Sequence, residues 1–280
     1  MKFIYSEWED FCKALSDSGL RSVTSASVLQ DAIKGNSCEK RFVTLKHDVE
    51  SLPSKALDFA RIEHKYGHRA SYYVQSYLMN EENYSIFSQI QQLGHEVSYH
   101  HDVMDGAKGD WQAAMAIYKE NLDKFSRLGF DVTTVCQHGN PVSDFANRDF
   151  FRSDLVQNLY PDQADIMVDF MRKINREYTY ISDFGMSYKI VKDPIEVENL
   201  QDDDKYIVLG DVMNVAAEII SHPQESYIVS AHTHRYNRSA FKSVCRRFIF
   251  RAIRCVAKIL FLIPGMKKFL FRFNVITKYL

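Results

Sequence analysis

Histidines and carboxylates cluster at the ends of two short stretches that have the composition of β-strands. The first stretch, residues 94–102, reads Gly-His-Glu-Val-Ser-Tyr-His-His-Asp and ends in His100, His101 and Asp102. Side chains alternate between the faces of a strand and rise about 3.3 Å per residue, so His95 and His100 differ in face and lie roughly 17 Å apart. They cannot share one ion, and the polar end of the stretch is the candidate metal site.

A second stretch, residues 41–50, begins with apolar and β-branched residues and ends in His47, Asp48, Val49 and Glu50. A single histidine is more often a hydrogen-bonded structural residue than a ligand, so the clustering carries the argument. Imidazole together with carboxylate is the mixed nitrogen and oxygen donor set that suits zinc or another divalent first-row metal better than calcium. We therefore expect a divalent metal cofactor, zinc in the first instance.

Strand-like segments alternate with segments of helical periodicity along most of the chain. The predicted strands are 42–47, 70–74, 95–100, 132–136, 178–181 and 227–231, and the predicted helices are 53–66, 81–93, 110–128, 145–159, 165–175 and 211–220. Such alternation indicates parallel βαβ units, hence an α/β barrel or a doubly wound sheet. Several strands end in histidine-bearing loops, at His47, His100, His138 and His232, which favours a barrel whose strand ends converge on one site.

The two ends of the chain differ from this body. Residues 1–40 predict a helical preface, with Ser6 and Glu9 in the pattern of a capping box. Residues 41–237 form the predicted (β/α) unit, and residues 238–280 form a basic amphipathic helical tail. The N-terminus has no apolar run of secretory-signal length, and the five cysteines are widely spaced without a C-x-x-C pair. We therefore expect a cytoplasmic protein.

The tail from Arg238 to Leu280 contains eleven Lys and Arg residues and no Asp or Glu, which leaves 24 basic and 36 acidic residues in the rest of the chain. Its longest uncharged apolar run, Ile259 to Met266, has eight residues, whereas a spanning helix needs about 20. The tail is therefore expected to lie on the anionic inner face of a membrane as a peripheral anchor. Packing against the acidic body is the alternative. Nucleic-acid binding is not expected, because Phe, Ile and Leu are too abundant.

The order of these motifs resembles the polysaccharide deacetylase superfamily, the NodB-homology domain of carbohydrate esterase family 4, over about residues 40–237. Lys46-His47-Asp48-Val49 looks like the strand-end Asp-Asp motif with His in place of the first Asp. The stretch from Gly94 to His100 is similar to the strand that carries the family's H-x-x-x-H motif. Met104 stands where the second histidine of that motif would be, so a third ligand has to come from elsewhere. The series further resembles a divergent branch met in bacterial surface-polysaccharide clusters.

The resemblance implies a distorted (β/α) barrel of parallel strands with a metal at its mouth. It also implies hydrolysis of the N-acetyl amide of a sugar in a surface-polysaccharide precursor, carried on a lipid or a nucleotide. Asp48 and His100 are the implied metal ligands, and His138 is the expected third ligand with Asp102 as its alternative. His47 is the implied general base and His232 the implied general acid. Asp183, at the end of the strand predicted at 178–181, is expected to orient a partner imidazole.

Two other functions are compatible with the same residues. A catalytically inactive glycan-binding or scaffold protein at the membrane is the main alternative, because the base position and one ligand position depart from the family pattern. A metal-dependent phosphoesterase fits the histidines and carboxylates equally well by chemistry alone, and only the resemblance argues against it.

Overall fold

A computed structural model of the chain describes residues 3–35, 41–140, 143–192 and 205–260. The strands are β1 Val43–Val49, β2 Ala70–Val74, β3 Glu96–His101, β4 Thr134–Gln137, β5 Ala164–Asp165, β6 Thr179–Ser182, β7 Tyr188–Val191, β8 Tyr206–Gly210 and β9 Tyr227–Ser230. The helices are α1 Tyr5–Asp17, α2 Ser25–Ile33, α3 Pro53–Lys65, α4 Glu81–Gln92, α5 Val103–Gly106, α6 Trp111–Arg127, α7 Arg148–Arg152, α8 Asp154–Leu159, α9 Phe170–Ile174, α10 Val212–Ser221 and α11 Ala240–Leu260. Short 3-10 turns cover Ser76–Leu78 and Thr233–Arg235.

The nine strands form one sheet in the order β5-β4-β3-β2-β1-β9-β6-β7-β8. All neighbours from β5 to β6 are parallel, and helices connect β1 to β4 in succession. The expected α/β architecture, a mostly parallel sheet whose strands are connected by helices, is thus confirmed. The antiparallel pairs β6–β7 and β7–β8 extend the sheet beyond it, and the sequence analysis missed β7 and β8. Because the parallel strands run in one direction, their carboxyl ends lie at one edge of the sheet.

Strand β1 lies between β2 and β9, and its alternating side chains face two different environments. His47 packs between Trp8 of α1 and Phe59 of α3, with ring centroids 5.5 and 5.3 Å away. Lys46 and Asp48 contact each other on the opposite face. One face of β1 therefore belongs to the core under the helices, and the other face leads to the polar edge of the sheet.

Helix α1 is part of that core. Trp8, Phe11, Cys12 and Leu15 are fully buried. The capping box expected at Ser6 is not formed, because the helix begins two residues earlier than that box predicts and Ile4 occupies the N-cap position. The hydrophobic residues of the helical preface are thus covered by the βα unit itself.

Two predicted helices take another form. The segment 145–159 is interrupted at Ser153, whose extended backbone separates α7 from α8. The segment 165–175 begins with the end of β5, and its helix covers only Phe170–Ile174. Asp165 is fully buried and bonded to Nε2 of His101 at 2.8 Å. A side-chain contact to another strand therefore overrides the local helical pattern.

The structure describes the predicted tail as far as Leu260, the last residue of α11. Residues 261–280 lie outside the described part of the chain. Helix α11 spans 21 residues. Within the described residues, no helix combines the length and the apolarity that crossing a bilayer requires.

Candidate metal centre

The carboxylate of Glu50 lies between two imidazoles at the carboxyl edge of the sheet. Its Oε1 atom is 3.3 Å from Nε2 of His138 and 3.7 Å from Nε2 of His100. One ligand atom from each of the three residues lies within 4.8 Å of the other two. Ligands held at about 2.0–2.1 Å from a tetrahedral zinc ion are about 3.3 Å apart, so these atoms fit one divalent ion.

Hydrogen bonds hold this arrangement in place. Nδ1 of His100 is 2.9 Å from the carbonyl oxygen of Cys136 on β4. A carbonyl oxygen only accepts, so Nδ1 donates to it, and Nε2 is the ring nitrogen directed toward Glu50. The backbone N–H of His138 donates to the carbonyl of His101 at 2.7 Å. Such outer hydrogen bonds set the tautomer and orientation of metal-binding histidines.

The electrostatics keep Glu50 ionised. Burial raises the pKa of its carboxyl, but the neighbouring imidazoles of His100 and His138 outweigh that effect and hold the pKa well below its usual range. The side chain remains 14% exposed, so the cluster borders solvent. The site therefore combines an anionic oxygen with imidazole nitrogens where an ion can enter.

Asp48 lies next to this cluster and shares His100 with it. Asp48, His100 and Cys136 form a second group of ligand atoms within 4.8 Å. Both carboxylate oxygens of Asp48, however, accept from Nζ of the buried Lys46 at 2.7 Å. Burial raises the pKa of Asp48, but the charges of Lys46, His100 and His232 outweigh burial, so the pKa lies well below its usual value. Burial also raises the pKa of the Cys136 thiol well above its usual value, which keeps that sulfur protonated.

His232 approaches the cluster from the end of β9. Its Nε2 atom is 3.7 Å from Oδ2 of Asp48, and its Nδ1 atom is 2.6 Å from Oδ1 of Asp183. Asp183 also accepts from the guanidinium of Arg235 at 2.7 Å and from the backbone N–H of His232 at 3.1 Å. Burial raises the pKa of Asp183, and the charges of Arg235 and His232 more than offset this, so its pKa lies well below the usual value. The carboxylate therefore directs Nε2 of His232 toward Asp48.

His47 is not brought to this edge. It is fully buried on the other face of β1, with Nε2 2.7 Å from Oε1 of Glu63 and Nδ1 3.0 Å from the carbonyl oxygen of Ala231. Both ring nitrogens thus have protein partners at hydrogen-bond distance, and neither is directed toward the carboxyl edge of the sheet. This geometry offers no route by which His47 could act as the general base.

Two further candidates from the sequence lie apart from the cluster. Asp102 precedes α5 and belongs to neither of the two groups of potential metal ligands found among the described residues. His101 points to the face opposite His100 and is bonded to Asp165. Met104, at the position of the missing family histidine, is buried in the hydrophobic core. The third imidazole or carboxylate therefore does not come from this segment.

Glu50 is not among the ligands predicted from the sequence, although the sequence contains a signal for it. Lys46, Asp48 and Glu50 are spaced by two, and residues spaced by two share a strand face. The strand was predicted to end at residue 47, whereas β1 continues to Val49. Extending the alternation by one step places Glu50 on the face of Asp48, beyond the end of the strand.

Several solved structures are similar to this chain, whereas no protein-family model and no curated protein sequence matches it. A Streptococcus mutans CE4 esterase aligns over 84% of this chain and 88% of its own, with 12% identity and a TM-score of 0.43. The catalytic domain of a peptidoglycan N-acetylglucosamine deacetylase from Eubacterium rectale aligns over 76% of this chain and 85% of its own, with 16% identity and a TM-score of 0.41. Peptidoglycan deacetylase PdaC from Bacillus subtilis covers 77% of this chain and 96% of its own, with 14% identity and a TM-score of 0.36.

Proposed function

We propose that the chain is a metal-dependent hydrolase of the polysaccharide deacetylase superfamily. Its proposed substrate is an N-acetylated sugar of a surface-polysaccharide precursor, carried on a lipid or a nucleotide. The observation that carries the proposal is the convergence of Nε2 of His100 and Nε2 of His138 on Glu50, beside Asp48 and an imidazole held by Asp183. The order of the sequence motifs supports the choice of an amide on a sugar.

The residues that would hold the ion are Glu50, His100 and His138. Their donor set, two imidazoles and one carboxylate, is the type used in catalytic zinc sites. This assignment replaces Asp48 by Glu50 in the ligand set expected from the sequence. Among the described residues, Asp48 forms a ligand group only with His100 and the protonated Cys136, whereas Oε1 of Glu50 faces both imidazoles at distances that suit shared ligands.

A divalent ion held by these residues would supply Lewis acidity, which would polarise a carbonyl and lower the pKa of water. Asp48, anionic and next to His100, accepts the proton of the attacking water. Its pKa lies well below the usual value, which makes Asp48 a weak base. Proton transfer to it would therefore require a more acidic water, which is the chemistry that a bound divalent ion would supply. Lys46 fixes the orientation of this carboxylate through two hydrogen bonds.

His232 acts on the leaving group. Its Nδ1 proton is donated to Asp183, and its Nε2 atom faces Asp48 across 3.7 Å. In the protonated form, Nε2 donates to the amine nitrogen as the C–N bond breaks, so water and amide become acetate and a free amine. General acid and base groups of this kind each contribute about 10²–10⁴-fold in rate.

Acetate release by the full-length protein tests this function. Oligosaccharides of N-acetylglucosamine and nucleotide-linked N-acetylhexosamines serve as probes, before chelation, after chelation and after zinc is added back. We expect acetate release that is lost on chelation and restored by the metal. A protein that binds stoichiometric metal and these sugars without releasing acetate would support the inactive glycan-binding alternative.

A further inference from the structure

Helix α11 carries an apolar stripe that faces solvent. Phe241 is 78% exposed, Phe248 is 76% exposed and Val244 is 48% exposed. Their spacing of three and four residues puts them on one side of the helix. Single exposed apolar residues are ordinary, but three large ones on one helical face indicate a surface that binds something.

The charge of the helix narrows the choice of partner. Between Ala240 and Leu260 there are six Lys and Arg residues and no Asp or Glu, whereas the chain before Arg238 is acidic in balance. Lys242, in the first turn of the helix, is exposed. A partner that matches both features needs an anionic surface over an apolar interior, which is the composition of an anionic lipid bilayer.

The N-terminal half of α11 is hydrogen-bonded to the loop that follows His232. Nζ of Lys55 donates to the carbonyl oxygens of His234 and Tyr236 at 2.9 and 2.6 Å. Arg246 of α11 donates to the same carbonyl oxygen of His234. The helix is therefore fixed to the edge of the sheet at which the candidate metal centre lies.

We infer that α11 binds in the interface of an anionic membrane, with Phe241, Val244 and Phe248 among the acyl chains and Lys242 at the headgroups. The bonds from Lys55 and Arg246 then hold the carboxyl edge of the sheet close to the bilayer. This binding is independent of the hydrolase function proposed above.

The test is sedimentation of the full-length protein with vesicles, which needs no enzymatic activity. Vesicles of phosphatidylglycerol and phosphatidylcholine are compared with vesicles of phosphatidylcholine alone, at low and high salt. We expect binding to the anionic vesicles that weakens with salt. The double variant Phe241→Ser/Phe248→Ser should bind at least about 10-fold more weakly, because it removes the apolar surface that the acyl chains would cover.

Two matched variants serve as controls. Ile207 and Val208 on β8 are 49% and 65% exposed, so Ile207→Ser/Val208→Ser removes similar apolar surface elsewhere and should leave vesicle binding unchanged. Lys242→Glu should weaken binding at low salt, and Lys119→Glu, at an exposed position of α6, should weaken it less. Thermal melting confirms that each variant is folded.

Either of two results would overturn the inference. The first is equal vesicle binding by the full-length protein and by Phe241→Ser/Phe248→Ser. The second is an absence of vesicle binding together with salt-dependent binding of duplex DNA that the Phe substitutions leave unchanged. That second result would assign the helix to a nucleic acid.

Discussion

Two clusters of one glutamate and two histidines lie on opposite faces of β1, and they differ in what their ring nitrogens contact. Around Glu63, the carboxylate accepts from Nε1 of Trp8, from the hydroxyl of Tyr72 and from Nε2 of His47 at 3.2, 2.6 and 2.7 Å. Nδ1 of His95 accepts from the backbone N–H of Ala70 at 3.0 Å, and its Nε2 faces the carbonyl of Ala60 at 3.0 Å. Every nitrogen of this pair of rings has a protein partner.

The cluster around Glu50 is built differently. His100 uses Nδ1 for the carbonyl of Cys136 and turns Nε2 toward the carboxylate. His138 also presents Nε2 to the same oxygen. Glu63 is fully buried, whereas the side chain of Glu50 is 14% exposed. Residue types alone therefore do not distinguish a metal site from a structural network, and ring nitrogens directed at a shared, partly exposed position do.

The largest expected difference, in metal affinity and in unfolding free energy, is between Glu50→Gln and Glu63→Gln. Glu50→Gln should lower metal affinity by at least about 100-fold, because an amide oxygen lacks the charge that balances the ion, and turnover should fall to background. Glu63→Gln should keep the metal but lose about 3–5 kcal/mol of unfolding free energy, because it leaves buried donors without their anionic partner. Metal content by atomic emission and urea unfolding measure the two effects.

The opposite pattern, with metal lost from Asp48→Asn and kept by Glu50→Gln, would restore the ligand set expected from the sequence. The two glutamate variants act as controls for each other, because each carries the same chemical change beside two histidines.

The second contrast is between neighbouring residues of β1 that point to opposite faces. Asp48→Asn should keep the metal and lower kcat by about 10²–10⁴-fold, because an amide cannot accept the proton of the attacking water. His47→Gln should lower stability and leave kcat per folded molecule close to that of the unchanged protein, because His47 lies behind the sheet. Steady-state kinetics on metal-loaded protein measures kcat for both variants. A large loss of kcat in folded His47→Gln would indicate that His47, and not Asp48, is the general base.

The smallest expected effect concerns Lys46, which positions Asp48. The charge of Lys46 lowers the pKa of Asp48 against the burial that raises it. Removing that charge in Lys46→Met should therefore raise the pKa of Asp48. Since the base works only when ionised, the acidic limb of the kcat/KM profile should move to higher pH by about one unit or more. Lys46→Arg keeps the charge and should leave the limb nearer its original position. Coincident limbs in Lys46→Met and in the unchanged protein would contradict this role.

Local sequence patterns were sufficient where the determining interactions are local. The strands and helices from β1 to β4 follow from apolar periodicity and from the glycines that end helices. The separation of His95 from His100 follows from the alternation of a strand, and the structure places them in different clusters. β8 was not predicted, although residues 206–210 read Tyr-Ile-Val-Leu-Gly, and the break at Ser153 was not predicted either.

The composition of the site depended on contacts between residues that are distant in sequence. The sequence alone indicated that imidazole and carboxylate lie at the strand ends, and it identified His100 and His138 as candidates. Only the tertiary structure decided that Glu50 meets them, because that depends on how far β1 extends and on the pairing of His100 with Cys136 between β3 and β4. It also decided that His47 is internal, since the helices α1 and α3 cover that face of β1. Alternation tells which residues of a strand share a face, but only packing determines which face is covered.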